Sequence, residues 1–157
     1  MRRLNLHTTD FRFDTDDPEG YRAGLIRPGR DWDARQTGAS LYELPPGQSI
    51  CPYHYEWAEE EWLYVLEGEP VLRAPDGEHE LSPGDLVFFP VGPDGAHKIT
   101  NATDTIVRVL MFSTVKHPAV TIYPDADKIG VWTGGDRSDD IMVRRESGGV
   151  GYYEGEV

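Results

Sequence analysis

From Ala39 onward the apolar residues arrive in short runs, each closed by a cluster of turn formers, and the runs are too brief for helices. Ala39 to Leu44 ends at Pro45-Pro46-Gly47, and Glu61 to Leu66 ends at Glu67-Gly68. Val71 to Ala74 runs into Pro75-Asp76-Gly77, His79 to Leu81 returns from it, and Ser82-Pro83-Gly84-Asp85 turns the chain again. Leu86 to Phe89, His97 to Asn101 and Thr105 to Ser113 complete the series. Strands of this length and spacing predict an all-β fold, an antiparallel barrel or sandwich. No helix-length amphipathic pattern, close repeat or low-complexity block interrupts them.

The flanks are less regular. Residues 1–36 are polar, with turns at Asp17-Pro18-Glu19-Gly20 and Arg27-Pro28-Gly29, but Phe11, Phe13, Tyr21 and Trp32 need a surface to cover them. An arm packed on the body is expected there, with short strands. After the barrel, Thr121-Ile122-Tyr123-Pro124 reads as a strand end, and Asp125 to Val131 as a turn followed by a strand or short helix. Gly134 to Asp140 reads as an exposed loop, Ile141 to Arg144 as a final strand, and Ser147 to Gly151 as a mobile junction before Tyr152 and Tyr153. The expected organisation is an N-terminal arm (1–37), a β-barrel core (38–114) and an irregular C-terminal extension packed on the barrel (115–157).

Composition narrows the partners. The chain of 157 residues carries 15 Lys and Arg against 28 Asp and Glu, a formal net charge of −13. That balance repels phosphate backbones and anionic membrane surfaces, so neither nucleic acid nor membrane is an expected partner. No apolar run approaches membrane length, and Met1-Arg2-Arg3 leads into Asn5, His7 and Asp10 rather than an apolar signal segment. The single Cys51 cannot form an internal disulfide, which suits a cytoplasmic location. With no nucleophile motif around it, Cys51 is expected to be a buried thiol.

The candidate chemistry lies in four side chains. His54 and Glu56 are two apart, so on a strand they share a face. Glu61 opens the next apolar strand, and a hairpin or bend would bring it across from that face. His97 enters from a later strand, on the face it shares with Ile99 and Asn101. Carboxylates inside an apolar barrel are costly unless paired, hydrogen-bonded or bound to a cation, and one divalent transition metal (Fe, Mn, Ni, Co or Zn) would offset the cost. Histidine ligands disfavour a calcium cage. His54, Glu61 and His97 are the expected ligands, and Glu56 is either a fourth ligand or the catalytic acid/base. His7, His79 and His117 lie in polar or turn-rich surroundings and read as surface residues.

The stretch from Gly47 through His54, Glu56 and Glu61 to Gly68 resembles the first cupin motif, in which a Gly leads to a His-x-His pair, then a Glu and a later Gly. Gly84-Asp-Leu-Val-Phe-Phe-Pro90, continuing to His97-Lys-Ile-Thr-Asn101, resembles the second. Glu56 stands where the family usually has its second histidine, the first glycine lies one residue farther from His54 than usual, and two extra residues separate Gly92 from His97. The resemblance covers 47–101 and implies a jelly-roll barrel, the double-stranded β-helix of cupins. The tail around Tyr123-Pro124-Asp125 and Lys128-Ile129-Gly130-Val131-Trp132 is similar to a group of small single-domain bacterial cupins. Reaction type does not follow, because the family includes dioxygenases, isomerases, decarboxylases, lyases and pure binders.

The leading functional expectation is a metal-dependent enzyme acting on a small oxygen-bearing metabolite. The alternative is a non-catalytic binding or sensing protein using the same pocket, with or without metal. Tyr53, Tyr55 and Trp57 alternate with His54 and Glu56, so they point away from the metal face, toward inter-sheet packing or a partner. That outward register and the family's frequent paired barrels lead to the expectation of a homodimer. Phe88 and Phe89 cannot both face inward on one strand. Arg73 and Arg108 are expected to be ordinary surface residues.

Overall fold

A computed structural model describes residues 1–156. The arm supplies β1 (Arg12–Phe13), β2 (Gly24–Ile26) and the one-turn helix α1 (Pro28–Asp31). The body follows with β3 (Thr37–Leu44), β4 (Tyr55–Glu56), β5 (Glu61–Glu67), β6 (Val71–Ala74), β7 (Gly77–Glu80), β8 (Leu86–Phe89), β9 (Lys98–Thr100) and β10 (Val107–Thr114). The C-terminal part adds β11 (Ala119–Tyr123), β12 (Lys128–Trp132), β13 (Ile141–Arg144) and the short helix α2 (Arg145–Gly148). The expected strands appear in order, most of them within a residue or two of the predicted ends. Asp125 to Val131 resolves into a 3-10 turn, Pro124–Ala126, followed by a strand rather than a helix.

One wall of the jelly roll is a six-stranded sheet in the order β1-β2-β3-β10-β5-β8. The other consists of a four-stranded sheet, β13-β12-β11-β4, and a three-stranded sheet, β7-β6-β9. Isolated bridges of Ser49 to Thr100 and His54 to His97 tie the segments around β4 and β9 together. All the registered pairs are antiparallel. The arm is part of the sheet, since Leu25 and Ile26 pair with Tyr42 and Leu41 on β3.

Alternation along the strands builds the interior. Leu63 and Val65 on β5, and Val107, Val109 and Met111 on β10, turn inward and meet Leu44, Leu72, Phe89 and Ile99. Leu63, Val65, Val107, Val109 and Ile99 are fully buried, as close packing of two facing walls requires. Asn101, also fully buried, acts structurally: its Nδ2 donates to the Leu44 and Thr105 carbonyls at 2.8 and 2.7 Å, and its Oδ1 accepts from the Thr103 backbone and hydroxyl. This network closes the loop between β9 and β10 without leaving an orphaned amide in the core. Phe89 is buried and Phe88 exposed, as alternation demands. The residues of β5 and β8 that face outward, Trp62, Tyr64, Leu86 and Phe88, join Phe112 of β10 in an apolar outer face. There Trp62 stacks on Phe112 at 6.0 Å between ring centres.

Candidate metal centre

The antiparallel bridge between His54 and His97 brings the two imidazoles together from segments distant in sequence, with ring centres 4.6 Å apart. The His54 amide donates to the His97 carbonyl at 3.1 Å, and the His97 amide returns the bond at 2.8 Å. Glu61 opens β5 on the facing wall, where the register pairs it with Phe89 on one side and Ser113 on the other. Because Leu63 and Val65 share its face, the strand that fills the core also aims one carboxylate inside.

Hydrogen bonding settles which imidazole nitrogens face the carboxylate. His54 Nδ1 lies 3.0 Å from the Pro52 carbonyl, and His97 Nδ1 lies 2.9 Å from the Gly95 carbonyl. A carbonyl only accepts, so each Nδ1 carries the proton and each Nε2 presents a lone pair. Phe89 stacks on His97 at 3.8 Å between centres, 16° from parallel, and holds that ring in place. Gly95 is required at the bend that offers the carbonyl, because a Cβ there would stand 1.8 Å from the Pro90 oxygen.

The two Nε2 atoms and the Glu61 carboxylate converge. His97 Nε2 is 3.5 Å and His54 Nε2 3.9 Å from Glu61 Oε2. One ligand atom from each of the three residues lies within 4.8 Å of the others. These separations are too long for hydrogen bonds, and Glu61 Oε2 and His97 Nε2 are buried with no partner among the described residues. Burial holds His54 below its ordinary range and brings His97 down to about 3, so both imidazoles are neutral at neutral pH. Burial, reinforced by the Glu56 and Glu59 charges, pushes Glu61 up to about 8. Burial thus favours a proton on Glu61, and a divalent cation that displaces it would satisfy the carboxylate and the two imidazole lone pairs together. Nitrogen and oxygen donors of this kind suit a first-row transition metal. The carbonyls behind both histidines provide the second layer that orients such ligands.

Glu56 occupies a different position. Its Oε1 is 3.8 Å from His54 Nε2, but it stands outside the three-residue cluster. Both carboxylate oxygens lie 2.8 Å from the Thr121 hydroxyl, which donates to them and itself accepts from the Trp132 indole N–H at 2.8 Å. The pairing of β4 with β11 sets Glu56 opposite Thr121. Burial raises the Glu56 carboxyl to about 7, against the opposing effect of the Thr121 bond.

A cavity of about 340 Å³ opens above the cluster, and all four predicted residues line it. Sequence reasoning missed four of its other walls: Ser40 and Tyr42 from β3, Arg27 from the arm and Tyr123 from β11. Period-two alternation from the buried Leu44 would have turned Ser40 and Tyr42 inward. Nothing local marked Arg27 or Tyr123. Burial pushes both tyrosine hydroxyls up to about 12, which keeps them neutral hydrogen-bond donors. Cys51, half-buried rather than fully buried as expected, also lines the cavity, and burial pushes its thiol up, which makes it a weak nucleophile. A larger cleft of about 1110 Å³ between arm and barrel adjoins the cavity, with Arg27, Tyr42, Ile50 and Cys51 lining both.

The remaining sequence candidates lie elsewhere. His7 and His117 are exposed, and His79 contacts Asp76 at the surface. Arg73 makes a two-pronged pair with Asp125 and lies over Tyr53, while Arg108 bridges Glu43 and Glu67. Trp57 is 53% exposed and meets Tyr55 edge-on. No described helix is long and apolar enough to cross a membrane.

Comparison with known proteins agrees with this geometry. Residues 40–113 match the family described as Cupin domain. A sugar phosphate isomerase from the cupin superfamily of Silicibacter pomeroyi superposes with a TM-score of 0.80 and 26% identity, over 96% of this chain and 98% of its own. A protein described as a sugar phosphate isomerase from Acidithiobacillus ferrooxidans gives a TM-score of 0.75 and 27% identity, over 83% and 81%. A polyketide cyclase from Streptomyces resistomycificus, at 24% identity and a TM-score of 0.59 over 74% and 80%, shares the fold. No curated protein matches significantly. Residues 40–113 therefore form a cupin domain, and the fold of the chain is the jelly roll of these cupin-superfamily neighbours.

Proposed function

We propose that this protein is a divalent-metal-dependent isomerase of sugar phosphates, with His54, Glu61 and His97 as its metal ligands. The observation that carries the reading is the convergence of two imidazole lone pairs on the Glu61 carboxyl group, with Glu61 Oε2 and His97 Nε2 buried and without a hydrogen-bond partner among the described residues. The likeness to two structures described as sugar phosphate isomerases, one along nearly the whole chain, supports the choice of reaction. When bound, the ion would polarise a carbonyl and favour negative charge on its oxygen.

The protein's own groups supply proton movement. Glu56 takes the proton from the hydroxyl-bearing carbon next to the carbonyl and returns it to the carbonyl carbon, while the proton of that hydroxyl passes to the former carbonyl oxygen, so carbonyl and hydroxyl exchange places with no net change in atoms. Thr121 keeps its carboxylate aimed into the cavity. The Tyr42 and Tyr123 hydroxyls, neutral at working pH, orient substrate oxygens. We further propose a cytoplasmic homodimer that acts on small molecules and binds neither nucleic acid nor membrane. The net charge of −13 supports the exclusions, and the aromatic outer face supports pairing.

The test is elemental analysis of protein purified without chelator, alongside His97→Ala, followed by assays of aldose and ketose phosphates with Fe, Mn, Ni, Co and Zn. About one ion per chain, lost in the variant, with metal-dependent interconversion of an aldose and a ketose phosphate is the expected result. A protein that takes up none of the five metals, or takes one up and interconverts no pair, defeats the reading.

A further inference from the structure

The Arg27-Pro28-Gly29 turn has no part in the metal centre, yet it places one side chain at the meeting point of three recesses. Arg27 lines the metal-site cavity, the large cleft between arm and barrel, and a groove of about 540 Å³ that continues past Arg30 and Arg35. Of the residues lining the metal-site cavity, it is the only Arg or Lys. Arg73, Arg108 and Arg137 each hold a carboxylate; among the described residues the Arg27 guanidinium holds none. Its charge nevertheless reaches the Tyr42 phenol, in the wall that cavity and cleft share.

The backbone beneath this side chain is fixed. Ile26 pairs with Leu41 of β3 on one side, and Pro28 and Gly29 are buried on the other. Gly29 lies so close to β3 that a Cβ would come within 2.6 Å of the Ala39 nitrogen. The Arg27 carbonyl accepts from the Asp31 amide at 2.9 Å. A guanidinium on a fixed base keeps its reach without having to order its own loop when a ligand arrives.

Charge accounting points the same way. Glu56 and Glu61 already match the two positive charges of a divalent ion, and a phosphate monoester brings further negative charge that must meet its own cation. A permanently charged planar fork suits phosphate oxygens. We propose that Arg27 is the phosphate-recognition residue of this cavity, holding the phosphorylated end of the substrate while the other end faces His54, Glu61 and His97. The assignment of the ligand as a sugar phosphate rests on the function proposed above; the anion site itself requires only the cavity and the arm.

The experiment is calorimetric titration of inorganic phosphate into wild type, Arg27→Gln, Arg27→Lys and Arg30→Gln. Each is tested both metal-free and loaded with manganese(II), with manganese uptake measured separately. Wild type should bind phosphate in both forms. Arg27→Gln should weaken binding at least tenfold with manganese uptake unchanged, Arg27→Lys should fall between them, and Arg30→Gln should stay within twofold of wild type. Failure of wild type to bind phosphate, equal binding by Arg27→Gln, or equal weakening by Arg30→Gln overturns the assignment. Arg27-dependent phosphate binding in a protein that takes up no metal sustains the anion site and counts against the isomerase reading alone.

Discussion

Strand β5 has two faces that solve opposite problems. Its inner face carries Glu61, Leu63 and Val65, so one buried carboxylate sits in line with two fully buried aliphatic residues. Its outer face carries Trp62, Tyr64 and Leu66, and Trp62 meets Phe88 and Phe112 of the neighbouring strands in an apolar surface that Tyr64 extends opposite Leu86. The inside therefore holds an ionisable group where apolar residues would be cheaper, and the outside holds aromatic surface where charge would be cheaper. Departures of this kind from the usual partition mark the places where a protein spends stability on binding.

The sharpest way to break the comparison is to make the inner face uniform. Glu61→Leu should abolish the proposed metal uptake while raising the stability of the metal-free protein by about 1–3 kcal/mol, because a buried polar group without a partner disappears. Elemental analysis and urea denaturation check the two halves separately, and a variant that still takes up metal would remove Glu61 from the ligand set. Two residues along the same face the sign reverses. Leu63→Ala should lower stability by about 2–5 kcal/mol, since it leaves a cavity in the packed core. A cost below about 1 kcal/mol in the same denaturation series would show that this part of the interior collapses easily.

Titration of the inner face gives a pH signature. Glu56 and Glu61 titrate near 7 and 8 in the fold against an ordinary 4.5, so their contribution is complete below about pH 4.5 and is lost as pH rises through those values. His54 and His97 are lowered, so their contribution is present above about 6.5 and is lost as pH falls. The metal-free protein should hold a broad stability maximum between about pH 4.5 and 6.5 and weaken from there to about pH 8. Metal must displace the Glu61 proton, so the rise in melting temperature on adding metal should grow over that same interval. Thermal denaturation with chelator and with metal measures both, and a chelated profile flat from pH 6 to 8 would contradict the burial argument. The smallest effect at the metal site is expected from the outer face. Phe112→Ser should leave metal uptake unchanged and shift the protein from dimer to monomer in light scattering; an unaltered mass would show that this face is not where copies meet.

The two faces also differ in how legible they were. Glu61, His54 and His97 could be named as one candidate set from the sequence, because period-two alternation gave each a face and the two motifs resemble those of cupins. The same alternation separated Phe88 from Phe89. It did not reveal that Glu56 would be pinned by Thr121 rather than joined to the cluster, since that contact spans 65 residues and depends on β11 pairing with β4. The N-terminal arm shows the same limit: Arg27-Pro28-Gly29 reads as a turn, and only the docking of α1 on β3 turns Arg27 into a wall of the cavity.

The succession of short strands and the all-β class were determined by the sequence itself, because they depend on alternation and turns that act over a few residues, and the likeness of the two motifs to cupins named His54, Glu61 and His97 as one candidate set. The tautomer of each imidazole, the tethering of Glu56, the entry of Tyr42, Tyr123 and Arg27 into the cavity and the aromatic outer face were decided by tertiary structure. Each depends on which distant strand becomes a neighbour and in what register, and short-range propensity does not encode that.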